Sequence, residues 1–280
     1  MTTQAAYTVA EMSSTYSPPA TPQKPLRILV CNDDGIHAPG LFALKAAIER
    51  AGHEVTVCAP HRPRSAASHA ITMHKPLRLQ EFTFPDGSKG YSASGTPADC
   101  ATLGLAELMN NRADLVVSGI NHGANLGWDV IYSGTVAAAM EASILGFPSI
   151  AVSITSYDET LHWDTAADFV AQTLIPKVAV NGLPPFTLLN VNAPNLPAES
   201  VRGVRLAIQG ERHYIDRIEK RLDPAGRAYY WLSGHLLDGE PPVDADTRAV
   251  SEGYIAVTPI QLDMTAYAFM QNLREWAIER

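Results

Sequence analysis

"RILVCNDDGIHAPGL", residues 27–41, decides how this chain is read. A short apolar run ends in two adjacent carboxylates, Asp33 and Asp34, and the helical pattern "GLFALKAAIERAG" follows at once. An apolar run of this length without alternation reads as a strand buried on both faces, as in a parallel sheet. In open sheets of that kind ligands gather beyond the carboxyl ends of the strands, where these aspartates fall. Two like charges so close raise the proton affinity of one of them unless a cation or a donor compensates. A hard divalent ion with oxygen ligands, Mg²⁺ or Mn²⁺, is the economical answer. The structural alternative is one aspartate capping the helix after Pro39 while the other stays in water.

Outward from this segment, strand and helix patterns alternate. "EVTVCAP" (54–60) is a second strand, and "KPLRLQEF" (75–82) and "KGYSAS" (89–94) are short strands around the turn "PDGSKG". "TPADCATLGLAELMN" (96–110) is a helix with Thr96 as N-cap and Pro97 in the first helical position. "ADLVVSGIN" (113–121), "PSIAVSI" (148–154) and "FTLLNVNAP" (186–194) are strands, separated by the helices "GTVAAAMEASILG" (134–146) and "DTAADFVAQTLIPKVA" (164–179). The expected class is α/β, a parallel sheet with helices on both faces.

After Pro194 the rhythm changes. "VRLAIQG" (204–210), "RAYYWLSG" (227–234) and "YIAVTPIQ" (254–261) read as β segments. "DADTRAVSEG" (244–253) reads as a short helix and "TAYAFMQNLREWAIER" (265–280) as a final amphipathic one. This region extends the core rather than forming a second domain. The aromatic "YYWL" serves either a subunit contact or the cover of a sheet edge.

Two further loops fall at strand ends. In 114–143, Ser118, Gly119, Asn121, Gly123, Asn125, Gly127 and Asp129 crowd together before Ser133, Gly134 and Thr135 open a helix that is almost free of charge. Free backbone N–H groups, two hydroxyls and a helix N-terminus make a phosphate cradle. A plain N-cap would explain one hydroxyl but not the glycine-rich approach. The loop "APHRPRSAASHAIT" (59–72) offers Ser65 as a neutral oxygen for the ion and Arg62 or Arg64 for an anion, though alone it reads as a surface turn. Asp99 is explained by structure: three residues after Thr96, it completes a capping box. Gly95 and Thr96 stand at another strand-to-helix junction, so the substrate-facing candidates are Gly95, Thr96, Asn125, Ser133, Gly134 and Thr135.

Composition limits the rest. With 280 residues, nearly half of them apolar, the chain can bury one large core. A formal net charge of -8 argues against a nucleic-acid polymer or an anionic membrane as partner. No apolar run approaches the roughly 18 residues of a membrane span. Residues 1–25, rich in Ser, Thr, Pro and Gln, read as a flexible lead-in without the layout of a signal peptide, so a soluble cytoplasmic protein is expected. Cys31, Cys58 and Cys100 share no metal-binding spacing and read as buried free thiols.

Five blocks, "ILVCNDDGIHAPGL", "APHRPRSAASHAIT", "SGTPADC", "VVSGINHGANLGWDVIYSGTVAAAMEA" and "VTPIQLDMT", resemble in order the signature blocks of the SurE family, over residues 26–265. That resemblance implies a Rossmann-like three-layer α/β/α sandwich over residues 26–280. It implies that 195–280 includes an arm used to form a homodimer or homotetramer. It also implies one divalent ion per subunit held by Asp33, Asp34, Ser65 and Asn121. The activity it implies is that of a metal-dependent 5′-nucleotidase, which cleaves nucleoside monophosphates, in some members 3′-monophosphates, and short polyphosphate. Ala70 departs from the pattern, because a hydroxyl residue usual in the family before "IT" is missing.

The chemistry expected is in-line attack of water on a phosphomonoester. Asp33 or Asp34 is the first candidate for general base, with His37 and His122 behind them. Two rivals are a receiver-type signalling domain and a nucleotide-binding protein without catalysis. The first needs a further Asp and a Lys at later strand ends, which here read "VVSGIN" and "IAVSIT".

Overall fold

The structure is a computed structural model and describes residues 24–212, 214–236, 240–276 and 278. The expected lead-in therefore lies, through residue 23, outside the described residues.

The chain begins with β1 (Arg27–Cys31), α1 (Pro39–Arg50) and β2 (Glu54–Pro60), followed by the hairpin β3 (Leu79–Thr83) and β4 (Lys89–Ala93). Next come α2 (Pro97–Leu103), β5 (Leu115–His122), α3 (Gly134–Ile144) and β6 (Ser149–Ile154). A long helix follows as α4 (Trp163–Asp168), a wide π-helical stretch (Phe169–Leu174) and α5 (Ile175–Asn181), leading to β7 (Thr187–Ala193). The remainder is β8 (Val204–Leu206), β9 (Tyr214–Leu222), β10 (Ala228–Leu236), α6 (Asp246–Ser251), β11 (Ile255–Gln261) and α7 (Tyr267–Glu275).

Nine strands form one sheet in the order β3-β4-β2-β1-β5-β6-β7-β11-β8. From β4 to β7 every neighbour is parallel. Antiparallel pairs occur only near the ends, where β3 meets β4 and β11 meets β7. The mixed ends refine the expected parallel sheet, and the α/β class stands. Because β1 lies between β2 and β5, the chain first builds toward one edge and then crosses to the other side. The carboxyl end of β1 is thus the switch point of the sheet.

The uniform apolarity of β1 follows from its position. Ile28 and Val30 join α1 residues Leu41, Leu44 and Ile48 in the core under one face, where α4 and α5 also pack. Leu29 and Cys31 face the other layer with Cys58, Cys100, Leu105 and the α3 alanines Ala138 and Ala142. Each large apolar side chain taken from water there contributes about 2 kcal/mol. α3 is buried on most sides, from Gly134 to Ala139 and again at Ala142 and Ser143, which is why its sequence carries almost no charge. All three cysteines are free and buried.

The C-terminal third divides. β11 and β8 complete the main sheet with α6 packed against β11, and Ala207, Ala249 and Ala256 pack together there. β9 and β10 form a separate two-stranded hairpin. β9 escaped the sequence reading because charged residues break its alternation. It is held by a nine-residue antiparallel register with β10, from Tyr214↔Leu236 to Leu222↔Ala228. The expected strand from Lys75 begins at Leu79, and the expected β segment through Gly210 stops at Leu206, with only a bridge from Ile208 to Ala245.

β5 contains one extra residue relative to β6. Ser118 pairs with Ala151 and Asn121 with Ser153, three residues against two. The bulge centres on Gly119, whose φ is +143°. A Cβ there would lie 2.4 Å from the Val152 carbonyl oxygen, so only glycine fits. Bulges of this kind re-aim side chains at a strand tip, and Asn121 stands two residues after Gly119 near the tip of β5.

Candidate functional site

The tips of β1 and β5 and the start of α3 converge at the switch point. Asn32 closes the turn after β1: its Nδ2 donates to the Gly35 carbonyl at 2.9 Å and its Oδ1 accepts the Gly35 N–H at 3.2 Å. This ring fixes the backbone that presents the two aspartates. Asp33 is 4% exposed. The Thr135 hydroxyl donates to its Oδ1 at 2.5 Å, and the first turn of α3 sits against it. A Cβ at Gly134 would stand 2.8 Å from Asp33 Cβ and 3.0 Å from Oδ2, so glycine is what lets the carboxylate and the helix start meet. Asp34 is less buried and accepts the His122 N–H at 2.9 Å on Oδ2.

Electrostatics match this packing. Burial pushes the Asp33 carboxyl up to about 6 and the Asp34 charge adds to that, while the Thr135 hydrogen bond pulls the other way. Burial also raises Asp34, against the pull of the His122 N–H and imidazole. Two partly desolvated carboxylates with raised proton affinity form a site that a divalent ion would relieve.

Ser65 and Asn121 each lie one residue from a backbone group bonded to this pair. The Arg64 N–H donates to the Asp33 carbonyl at 2.7 Å, and His122 holds Asp34. Asn121 Nδ2 donates to the Gly123 carbonyl at 2.8 Å, which fixes the amide and leaves Oδ1 free to accept. Ser65 is exposed on its turn. Among the described residues no three His, Cys, Asp or Glu side chains converge, so an ion here would draw on neutral oxygens as well as carboxylates. Two carboxylates, a hydroxyl and an amide oxygen are the donor set of a hard cation. The residues fit the group.

The 61–72 loop is fastened at several points. Ser68 donates through N–H and Oγ to the carbonyls of Tyr132 and Ile131, at 3.0 and 2.8 Å. His69 Nε2 meets Glu141 Oε2 on α3 at 2.7 Å. The capping box of α2 forms as expected: Thr96 accepts from the Asp99 N–H, and Asp99 accepts from the Thr96 N–H. The Thr72 hydroxyl and N–H also donate to Asp99, at 2.6 and 2.9 Å. Burial pushes Asp99 up, but these hydrogen bonds together outweigh it and leave the carboxyl below its ordinary value. The Thr96 hydroxyl donates to the Ala70 carbonyl at 2.7 Å, and Gly95 packs against Asp99. Thr96 is thus engaged on both sides in joining loop to helix. Of the two arginines, Arg64 donates through Nη2 to the Ser94 carbonyl at 3.2 Å, and Arg62 is exposed.

In the α3 segment, Ser133 caps the helix by accepting the Val136 N–H at 3.1 Å, which leaves its own proton available. The N–H groups of the first turn have no partner inside the helix. Asn125 is buried in a hydrogen-bond network that no local pattern of residues announces. Its N–H donates to Asn192 Oδ1 at 2.9 Å and its Nδ2 to Ser153 Oγ at 2.8 Å. Its carbonyl accepts from Asn190 and Asn192, at 2.8 and 3.0 Å. Asp246, fully buried at the start of α6, accepts N–H bonds from Gly127 at 2.9 Å and Gly210 at 3.0 Å. These residues position the loop. Their partners are too distant in sequence for any local pattern to reveal them.

Thr135 is therefore a positioning residue for Asp33, and Thr135→Val should weaken divalent-ion binding by about 10- to 100-fold. Calorimetric titration with Mn²⁺ checks this, and an unchanged dissociation constant would remove the role.

A family profile described as "Survival protein SurE" matches residues 28–216. A 5′-nucleotidase SurE of Gloeobacter violaceus is 50% identical over 242 residues, covering 86% of this chain and 91% of that protein. One from a Synechococcus strain is 46% identical over 256 residues, covering 90% and 98%. The crystal structure of the Sure protein from Aquifex aeolicus superimposes with a TM-score of 0.78 at 38% identity, covering 90% of this chain and 99% of that one.

Proposed function

Because this chain belongs to the SurE family, we propose that it is a 5′-nucleotidase hydrolysing nucleoside monophosphates at the β1–β5–α3 junction, with a divalent ion held by Asp33, Asp34, Ser65 and Asn121. The observation that carries the reading is the contact of the Asp33 carboxylate with the start of α3, through Thr135 and Gly134. It sets a helix N-terminus, which favours an anion, directly beside a carboxylate pair, which favours a cation. A phosphomonoester needs both.

When bound, Mg²⁺ or Mn²⁺ supplies charge stabilisation to the phosphoryl oxygens and makes water a better nucleophile. The chain does the rest. The first-turn N–H groups of α3 and the Ser133 hydroxyl hold the outer phosphoryl oxygens and the charge that develops on them. Gly134 gives the close approach. Asp34, the less buried carboxylate, accepts the His122 N–H on Oδ2 and is the first candidate to take the proton of the attacking water. His37 packs edge-on to Phe82 and His122 sits among aromatic rings, so both are secondary to Asp34 as base. Thr135 and Thr96 act by positioning, while Gly95 and Asn125 shape the pocket behind the phosphate.

A second copy of the chain is the natural partner of the C-terminal elements. On the hairpin, Ile218, Leu222, Tyr230, Trp231 and Leu232 are exposed. On α7, Tyr267, Phe269 and Met270 are exposed as well, more apolar surface than an isolated chain keeps. Association into a homodimer or homotetramer would cover it. No helix among the described residues is long and apolar enough to cross a membrane, and a cytoplasmic location suits a nucleotide substrate.

Phosphate release from a panel of 5′- and 3′-monophosphates and short polyphosphate, with Mg²⁺, with Mn²⁺ and with EDTA, tests the reading. Turnover of 5′-monophosphates that EDTA abolishes and the ion restores is expected. Binding of AMP with no phosphate released would defeat it.

A further inference from the structure

Three rings gather beside the carboxylate pair. Trp163 is seated over Gly40, where a Cβ would come within 2.7 Å of the indole. His122 meets Trp163 edge-on with ring centroids 6.1 Å apart, and Tyr157 neighbours His122 as well, also at 6.1 Å, with ring planes tilted by 35°. Tyr157 is open to water, 80% exposed. Its ring is nonetheless seated: it rests on Gly123, where a Cβ would stand 2.6 Å from the ring edge. Gly123 has φ +121° and offers its carbonyl to Asn121 Nδ2. One glycine therefore supports both an ion-binding amide and an otherwise uncovered aromatic face.

We infer that the His122–Tyr157 pair is the nucleobase subsite, an inference that rests on the nucleotidase reading above. The His122 N–H is bonded to Asp34, so the imidazole stands beside the proposed phosphate centre, and the exposed Tyr157 ring is its neighbour. This is the direction in which a nucleotide, its phosphate at the carboxylates, can extend its sugar and base. A planar base held between two rings needs them about 7 Å apart, two van der Waals contacts. The present spacing of 6.1 Å is slightly less, and the two planes are tilted by 35° rather than parallel. A swing of the exposed Tyr157 side chain suffices. Stacking uses the π-face that every base has, so the subsite accepts all bases and favours the larger purines. It reads no hydrogen-bonding edge.

Tyr157→Ala should raise KM for AMP by about tenfold, the usual loss for one stacked base, with kcat nearly unchanged. Tyr157→Phe should behave as wild type, and ribose 5-phosphate, which has no base, should be hydrolysed equally by all three proteins. An unchanged KM for AMP in Tyr157→Ala, or equal losses on AMP and ribose 5-phosphate, overturns the subsite while leaving the nucleotidase reading in place. A shifted elution volume for Tyr157→Ala with unaltered AMP kinetics assigns the ring to a contact between copies and likewise overturns it. Failure of the wild type on every phosphate ester, with either ion, removes the nucleotidase reading and the subsite together.

Discussion

Asp33→Asn is expected to lower kcat/KM for nucleoside monophosphates by about a thousandfold or more, the loss of several kcal/mol of charge stabilisation. The same substitution should stabilise the ion-free protein. The folded chain holds Asp33 at about 6 against an ordinary 3.8, so it binds that proton more tightly than the unfolded chain does. Stability linked to this proton is complete below pH about 4 and is lost as the pH rises through about 6. At neutral pH, without the ion, the buried carboxylate therefore costs the fold up to about 3 kcal/mol. Asparagine removes the charge, keeps the shape and can still accept from the Thr135 hydroxyl. Ion-free Asp33→Asn should thus melt above wild type at pH 7.5 and level with it near pH 4. Added Mn²⁺ should raise the wild-type Tm and leave the variant unmoved. Residual activity above a tenth of wild type, or a lower ion-free Tm at pH 7.5, would contradict the placement of Asp33.

The second large effect belongs to Gly119→Ala. A methyl group there meets the Val152 carbonyl at 2.4 Å, and a φ of +143° is a conformation that L side chains rarely adopt. The obstructing atom is backbone in the middle of the sheet and cannot swing aside. A cost of at least about 3 kcal/mol is expected from strain and overpacking together. If the variant folds, β5 must shed its extra residue or part from β6, and either movement withdraws Asn121. Urea unfolding should show the lower midpoint, and Mn²⁺ titration of the folded fraction should show weakened binding. Wild-type values in both experiments would mean that the bulge does not aim Asn121.

The fold class was legible because the strands of the parallel block are buried on both faces, and nothing but continuous apolar runs such as "RILVC" serves there. Asp33 and Asp34 stand out in the sequence for a related reason, because charge at the end of such a run needs an explanation. The α2 cap was readable from Thr96, Pro97 and Asp99, which lie within one turn. β9 was not, since a hairpin held by backbone pairing imposes no pattern on side chains. Thr135 shows another limit. A hydroxyl at a helix start reads as a phosphate donor, and only the fold reveals that it faces a carboxylate 102 residues away. The asparagines around Asn125 lie more than 60 residues from it in the chain, and each alone looks like an ordinary polar residue near a strand end.

Asp246 has a practical corollary for anyone pruning this protein. Its carboxylate grips Gly127 across 119 residues of chain, just ahead of the turn that delivers Ser133. A version cut near residue 240 would retain the two aspartates, Ser65, Asn121 and all of α3, yet the glycine loop would lose its anchor. The half that carries the proposed site is not portable, because its glycine loop is anchored from the tail.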